Sequence, residues 1–387
     1  MTEERESLPN RSPSQQVIQP PAEIEPPPPT TPPVEQTPGH RVDLGGKVDI
    51  ALLLPLSGSG AAAGRDMLDA AALALSELGG DQLALTPKDT KGTPEGAADA
   101  ARSAVADGAR LIIGPRTAGE AEAVAPVAKA ADIAVLSFSN QARIAGNGMF
   151  VLGFLPEQEI RRIADYAAST GIRNFAVLAP SDAYGQLTTQ AFRDAVTAAG
   201  GSIAQIQAYD PNARDMRPGL QSLAANHDAF QGLLLPEPTA QRLRDVAAAL
   251  PVFKLGQPDI RLLGIDGWDF PDIGREPALV GGWYVAAPPE ARTGFVERFA
   301  RAYGHAPGRL ATLAYDAVAV AAVLQKTPGG GFSAAALTNP SGFAGADGIF
   351  RLREDGTTER GLAVLQVEHD GTSLISPAPD TFQSAGH

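Results

Sequence analysis

The chain has 387 residues, with 31 Lys or Arg against 44 Asp or Glu, a net charge of −13 and a pI near 4.9. That acidic balance excludes the basic footprint which nucleic-acid phosphates or an anionic membrane surface require. The absence of cysteine excludes disulfides, thiolate metal sites and Cys nucleophiles, and no run nears the ~18 apolar residues of a membrane helix.

The first 40 residues hold 11 of the 33 prolines, including the run from Pro26 to Pro29, and carry two Arg and six Glu. Proline fixes φ and removes donors, so residues 1–45 are expected to be a disordered, extended tether. Met1 to Arg5 show neither a basic n-region nor an apolar h-region, so no signal peptide is visible, and a trimmed chain would look the same. Any membrane attachment is expected only through an N-terminal anchor outside this sequence.

From Val48 onward, short apolar runs alternate with turns and helix-length segments. The runs 48–54, 111–113, 133–136, 175–179, 203–207 and 232–235 are rich in Val, Ile and Leu and do not alternate, as strands buried on both faces do not. Met67, Leu68, Ala71, Leu75 and Leu78 make one helix face, stopped by Gly79 and Gly80; a helix from near Tyr184 stops at Gly200 and Gly201. Strands alternating with helices predict an α/β fold with parallel sheets. One device occurs twice: a strand, then Pro55 to Ser57 and a helix, and about 125 residues later a strand, then Pro180, Ser181 and a helix. The repeat suggests two lobes of like topology with a cleft between them, lined by the loops after the strand C-termini.

The Gly-rich loop Gly58, Gly60, Gly64 misses the dinucleotide spacing, and its nearest strand-end acid is Asp89, about 29 residues on rather than ~20. No P-loop lysine follows, no cofactor is expected, and the glycines either admit something close to the backbone or shape the turn. His40, His227, His305, His369 and His387 are never at i, i+3 or i+4. The acids Asp266, Asp269 and Asp272 match no calcium loop, and no G-x-S-x-G occurs. No metal site and no catalytic constellation are expected; the protein is read as a non-enzyme.

What remains are polar and aromatic groups at strand ends: Ser57 and Ser59; Arg116 and Thr117; Ser137, Ser139, Asn140 and Gln141; Tyr184; Glu237; Asp266 and Trp268. Hydroxyls and helix N-termini there can hold a carboxylate, although for any single Ser or Thr a helix cap is the commoner use. Their convergence on one crevice makes them the candidate ligand shell.

The stretches Leu53-Leu54-Pro55-Leu56-Ser57-Gly58, Leu111-Ile112-Ile113-Gly114-Pro115, Val135-Leu136-Ser137-Phe138-Ser139 and Asp182-Ala183-Tyr184-Gly185, in this order and spacing, resemble the type I periplasmic-binding-protein family of the Leu/Ile/Val-binding kind. The likeness runs from about Val48 to Gly371. The segment from Leu337 to Phe343 before Asp347 to Arg351 looks like the penicillin-binding-protein activators within it. The resemblance implies a two-lobed fold with three crossovers, placed at 153–156, 282–287 and 338–345. Lobe 1 is then 46–153 with 287–340, lobe 2 is 154–286 with 341–375, and 376–387 is a tail; the end of the chain reads as a hairpin-like finish.

In the family's amino-acid binders, a Ser after the third strand and a Ser or Thr after the fourth hold the ligand carboxylate. Here Ala118 or Gly119 stands at the first place and Asn140 or Gln141 near the second, while Tyr184 matches the packing aromatic and Asp266 the ammonium-binding acid. Two readings follow. The first is a periplasmic module regulating peptidoglycan synthesis through contact with a penicillin-binding protein. The second is the solute receptor of an ABC permease for amino acids or similar small polar ligands.

Overall fold

A computed structural model describes residues 46–78, 82–212, 216–327 and 331–382. The Pro-rich segment 1–45, the stop at Gly79 and Gly80, and the last five residues of the expected tail lie outside the described residues.

Chain order runs β1 (Val48–Leu54), α1 (Ala61–Glu77), β2 (Leu83–Asp89), α2 (Pro94–Asp107), β3 (Leu111–Ile113), α3 (Ala118–Ala130), β4 (Val135–Ser137) and β5 (Met149–Val151). These strands form a parallel sheet ordered β2-β1-β3-β4-β5. The chain then crosses into α4 (Pro156–Ser169), β6 (Asn174–Pro180), α5 (Ala183–Ala198), β7 (Ser202–Tyr209), α6 (Arg217–Ala224), β8 (Gly232–Leu234), α7 (Ala240–Ala249), β9 (Arg261–Gly264) and β10 (Trp283–Ala286). After α8 (Pro289–Tyr303), α9 (Ala311–Lys326) and α10 (Ala334–Leu337) come β11 (Phe343–Gly345), β12 (Gly348–Leu352), β13 (Thr358–Arg360), β14 (Ala363–Glu368) and β15 (Gly371–Ser376). The second sheet is ordered β15-β14-β10-β9-β8-β6-β7, parallel from β10 to β7, with β14 and β15 antiparallel at one end.

Both sheets are covered on both faces. Ile50, Leu52 and Leu54 of β1 join an apolar cluster that runs through Ile160 and Ile163 of α4 to Val177, Leu234 and Val285 of the second sheet. The alternate residues Ala51 and Leu53 pack under α2 and α3 with Ala97, Ala101 and Val124. Burial on both faces is why these strands are apolar runs rather than alternating ones. Helices α8 and α9 return to pack on α1, so the first lobe is completed by residues far along the chain. Residues 343–360, read with the second lobe, make a small antiparallel sheet of their own, β11-β12-β13, packed on α9 and on the first crossing. The hairpin-like finish is therefore two hairpins, β12 with β13 and β14 with β15, in different sheets.

Candidate functional site

Open α/β sheets bind ligands at the loops after the C-terminal ends of their parallel strands, so those loops of the two sheets are the candidate site. On the first lobe, the loop after β1 is tied down by Asp89 at the end of β2. Its carboxylate accepts from the Leu56 and Ser57 amides at 2.9 and 3.2 Å, from Ser57 Oγ at 2.6 Å and from the Lys91 amide at 2.8 Å. Burial works against ionisation, and these donors more than offset it, so the Asp89 carboxyl titrates below its ordinary value. The strand-end acid nearest the Gly-rich loop is thus committed to shaping the Ser57 turn. Ser59 is exposed on that turn.

Thr117 forms a capping box at the start of α3: its Oγ1 accepts from the Glu120 amide at 3.3 Å and donates to Glu120 Oε2 at 2.7 Å. Ser137 is fully buried, its hydroxyl donating to the Pro115 carbonyl at 3.1 Å and accepting from the Ser139 amide at 3.2 Å. Ser139 Oγ in turn accepts from the Gln141 amide at 3.2 Å. Four of the five Ser and Thr hydroxyls expected at the ligand, those of Ser57, Thr117, Ser137 and Ser139, therefore hold their own loops, because a buried or capping hydroxyl satisfies the nearest polar group first. Asn140 and Gln141 are exposed, with Gln141 Oε1 accepting from Arg143 Nε at 2.9 Å.

Arg116 differs from its neighbours. It lies half-buried over the β1 loop, so that a methyl built on Gly60 would come within 3.7 Å of its Nη2. Its Nε is buried without a hydrogen-bond partner among the described residues.

On the second lobe, Asp182 caps α5 by accepting from the Gly185 amide at 3.0 Å. Tyr184, half-buried two residues on, has its hydroxyl held protonated by burial and by Glu159, Glu237, Asp182 and Glu157 around it. Glu237, enclosed after β8, accepts from Tyr209 Oη at 2.5 Å. Burial pushes its pKa up to about 7, with Tyr209 and Arg242 pulling the other way. Trp268 is a core residue: fully buried, stacked on Tyr284 and donating from Nε1 to the Leu235 carbonyl at 3.0 Å. A large aromatic beside a strand end looks like a ligand platform in sequence, but here it fills the space over Gly264 that a Cβ would take.

Asp266 is not alone. Arg309, in the α8–α9 loop of the first lobe, pairs with it and with Asp269 Oδ2 at 2.8 Å. Arg292 of α8 pairs with the same Asp269 oxygen at 2.7 Å and with Asp347 Oδ1 at 2.9 Å. An ion-pair chain thus runs from one lobe to the other. Sequence reasoning missed Arg292, Arg309 and Glu159 because no local pattern announces a pair formed across the lobes. Among the described residues, no group of His, Cys, Asp or Glu is arranged to hold a metal.

Two lobes of helix-covered, largely parallel sheet, joined by crossings, define a two-lobed α/β module. Residues 47–372 match the family model described as periplasmic binding protein, and the chain belongs to that family. It is 27% identical over 191 residues to the Leu/Ile/Val-binding protein BraC3 of Rhizobium johnstonii, covering 43% of this chain and 49% of that one. The chain spans about half the length of the curated relatives it matches. A Rhodospirillum rubrum structure assigned to a branched-chain amino acid ABC transporter superposes with a TM-score of 0.75 at 21% identity, over 85% of this chain and 100% of that one. The solute-binding protein of an ABC transporter from Rhodopseudomonas palustris BisB5, in complex with 3,4-dihydroxybenzoic acid, gives 0.66 at 21%, over 87% and 99%. The fold is that of Leu/Ile/Val-binding-protein-like type I periplasmic binding proteins. No helix among the described residues is long and apolar enough to cross a membrane.

Proposed function

We propose that the protein is the periplasmic solute-binding component of an ABC importer and takes a small carboxylate between its lobes, without catalysing a reaction on it. The observation that carries this reading is Arg116. Its Nε, beside the β1 loop, is a buried donor without a hydrogen-bond partner among the described residues, whereas Arg309 and Arg292 are ion-paired with Asp266 and Asp269. A guanidinium there supplies, in stronger form, the carboxylate hold that Ser137 and Ser139 cannot give while their hydroxyls serve their own loops. The R. palustris relative binds an acid of this class. Contact with a penicillin-binding protein, the first reading of the sequence, rests on the likeness from Leu337 to Arg351, on the missing carboxylate-binding hydroxyls and on the Pro-rich segment outside the described residues.

The test is calorimetry and thermal shift of the full chain against aliphatic and aromatic carboxylates, amino acids and neutral analogues. A carboxylate hit is expected. Arg116→Ala should weaken it by roughly ten- to hundredfold, as loss of a charged hydrogen bond of about 1.5–3 kcal/mol does. Silence from every carboxylate, or an unchanged affinity in Arg116→Ala, sinks the reading.

A further inference from the structure

Three carboxyls and one hydroxyl of the second lobe gather at the start of two helices. Glu157 and Glu159 stand in the first turn of α4, and Tyr184 in the first turn of α5, the helix packed beside it. The register of β6 and β8 pairs Val177 with Leu234, so Pro180, four residues before Tyr184, and Glu237 end their strands at the same level. The Tyr184 hydroxyl accordingly feels the charge of all three glutamates.

These groups are enclosed and yet unpaired. Glu159 and Glu237 are 2% and 0% exposed, and Glu159 Oε1, Glu237 Oε1 and Glu157 Oε2 are each buried without a hydrogen-bond partner among the described residues. Tyr209 occupies only the other oxygen of Glu237. The Tyr184 hydroxyl has no hydrogen bond among the described residues either, and Tyr184, half-buried, is the member of the group that meets solvent. Buried polar atoms in folded proteins are satisfied, and where the chain does not do it the partner comes from outside the chain.

The partner that completes this set must both donate and accept. The Tyr184 hydroxyl, held protonated by burial and by the acids, needs an acceptor, while the glutamate oxygens need donors. An ammonium only donates, and a second carboxylate only accepts and would meet three acids. A hydroxyl does both, and it pairs with a carboxyl whether that carboxyl is protonated or not.

We infer that Tyr184, Glu159 and Glu237 form a hydroxyl-binding subsite on the second lobe, so that the solute taken is a hydroxylated carboxylate. The inference rests on the carboxylate reading above, in which Arg116 holds the acid group, and it names the second group the solute must carry.

The experiment measures affinities by calorimetry on the full chain for two sets of acids that differ at one group. The first set is 4-methylpentanoate, 2-hydroxy-4-methylpentanoate and leucine; the second is 4-methylbenzoate, 4-(hydroxymethyl)benzoate and 4-(aminomethyl)benzoate. In at least one set the wild type is expected to bind the hydroxy acid about tenfold or more tighter than the other two members, as gain of a hydrogen bond to a charged group does. Tyr184→Phe and Glu159→Met should each remove most of that preference and leave the affinity for the unsubstituted acid within about twofold, a pattern that misfolding does not produce. Arg116→Ala should weaken every acid that binds. A wild type that binds the hydroxy and unsubstituted acids equally, or that prefers the amine, overturns the inference, as does a preference unmoved in both variants. In each of those cases a loss in Arg116→Ala leaves the carboxylate reading standing. Silence from all six acids overturns both.

Discussion

Glu159 stands in the first turn of α4 with only 2% of its surface exposed, and burial raises its carboxyl to about 8 against the pull of Arg309, with Asp269 and Glu157 adding to the rise. An ordinary glutamate releases its proton near 4.5, so between that value and about 8 the folded chain keeps a proton that the unfolded chain has lost. Stability from this group therefore falls as pH rises across that window, by on the order of a few kcal/mol at its upper end. Glu237, raised to about 7, contributes with the same sign and is spent sooner. Glu159→Gln keeps the size and removes the titration. Melting temperatures at pH 6 and pH 8 should lie closer together in the variant than in the wild type. Equal separations in both proteins would mean that the enclosed carboxyl is not the source of the slope.

Two βα units open the two lobes with the same packing device. A Cβ on Gly64 in α1 would lie 2.1 Å from the Pro55 carbonyl oxygen, and one on Gly185 in α5 would lie 1.7 Å from that of Pro180. Helix propensity alone favours alanine over glycine by about 1 kcal/mol. Contact with rigid backbone outweighs it, so Gly64→Ala and Gly185→Ala should each destabilise, by about 1–3 kcal/mol in chemical denaturation. A net gain in either variant would show that the helix can shift away at little cost. This repeat was legible in the sequence through Pro55, Ser57, Pro180 and Ser181, since turn chemistry is local. Strands β1, β3, β6 and β8 were legible as well, because burial on both faces writes an unbroken apolar run. Strand β2 was not: it is an edge strand that includes Pro87 and Lys88, and its partial burial leaves no such run. For the candidate site, the sequence offered only positions after strands. Position after a strand picked out Arg116, Tyr184 and Glu237, but it could not show that Ser137, Ser139 and Thr117 spend their hydroxyls on their own loops, nor that Trp268 is core. Arg309 and Asp266 are neighbours only because the chain returns to the first lobe after building most of the second.

At the scale of the molecule, one guanidinium joins the segments that pass between the lobes. Arg360 of β13 donates from Nη2 to the Leu152 carbonyl of the first crossing at 2.8 Å and pairs with Asp316 of α9 at 3.5 Å. The rings of Phe154 and Phe350 lie 4.5 and 5.0 Å from it. Asp316 also accepts from the Ala346 amide, between β11 and β12, at 2.6 Å. Burial lifts the Asp316 carboxyl to about 7 even with Arg360 beside it. Removing one partner of a buried pair costs about 3–5 kcal/mol when the survivor must stay charged. Here the survivor has an escape, because without Arg360 its pKa rises further and it takes up a proton. Arg360→Met should therefore lose little more than packing and one hydrogen bond at pH 6, and markedly more at pH 8, where protonating Asp316 becomes expensive. Adding Asp316→Asn should flatten that pH dependence without restoring the bond to Leu152. Denaturation midpoints for the single and double variants at the two pH values decide the matter: equal losses at pH 6 and pH 8 in Arg360→Met would mean that the arginine holds the crossings by shape and hydrogen bonding alone, not by neutralising Asp316.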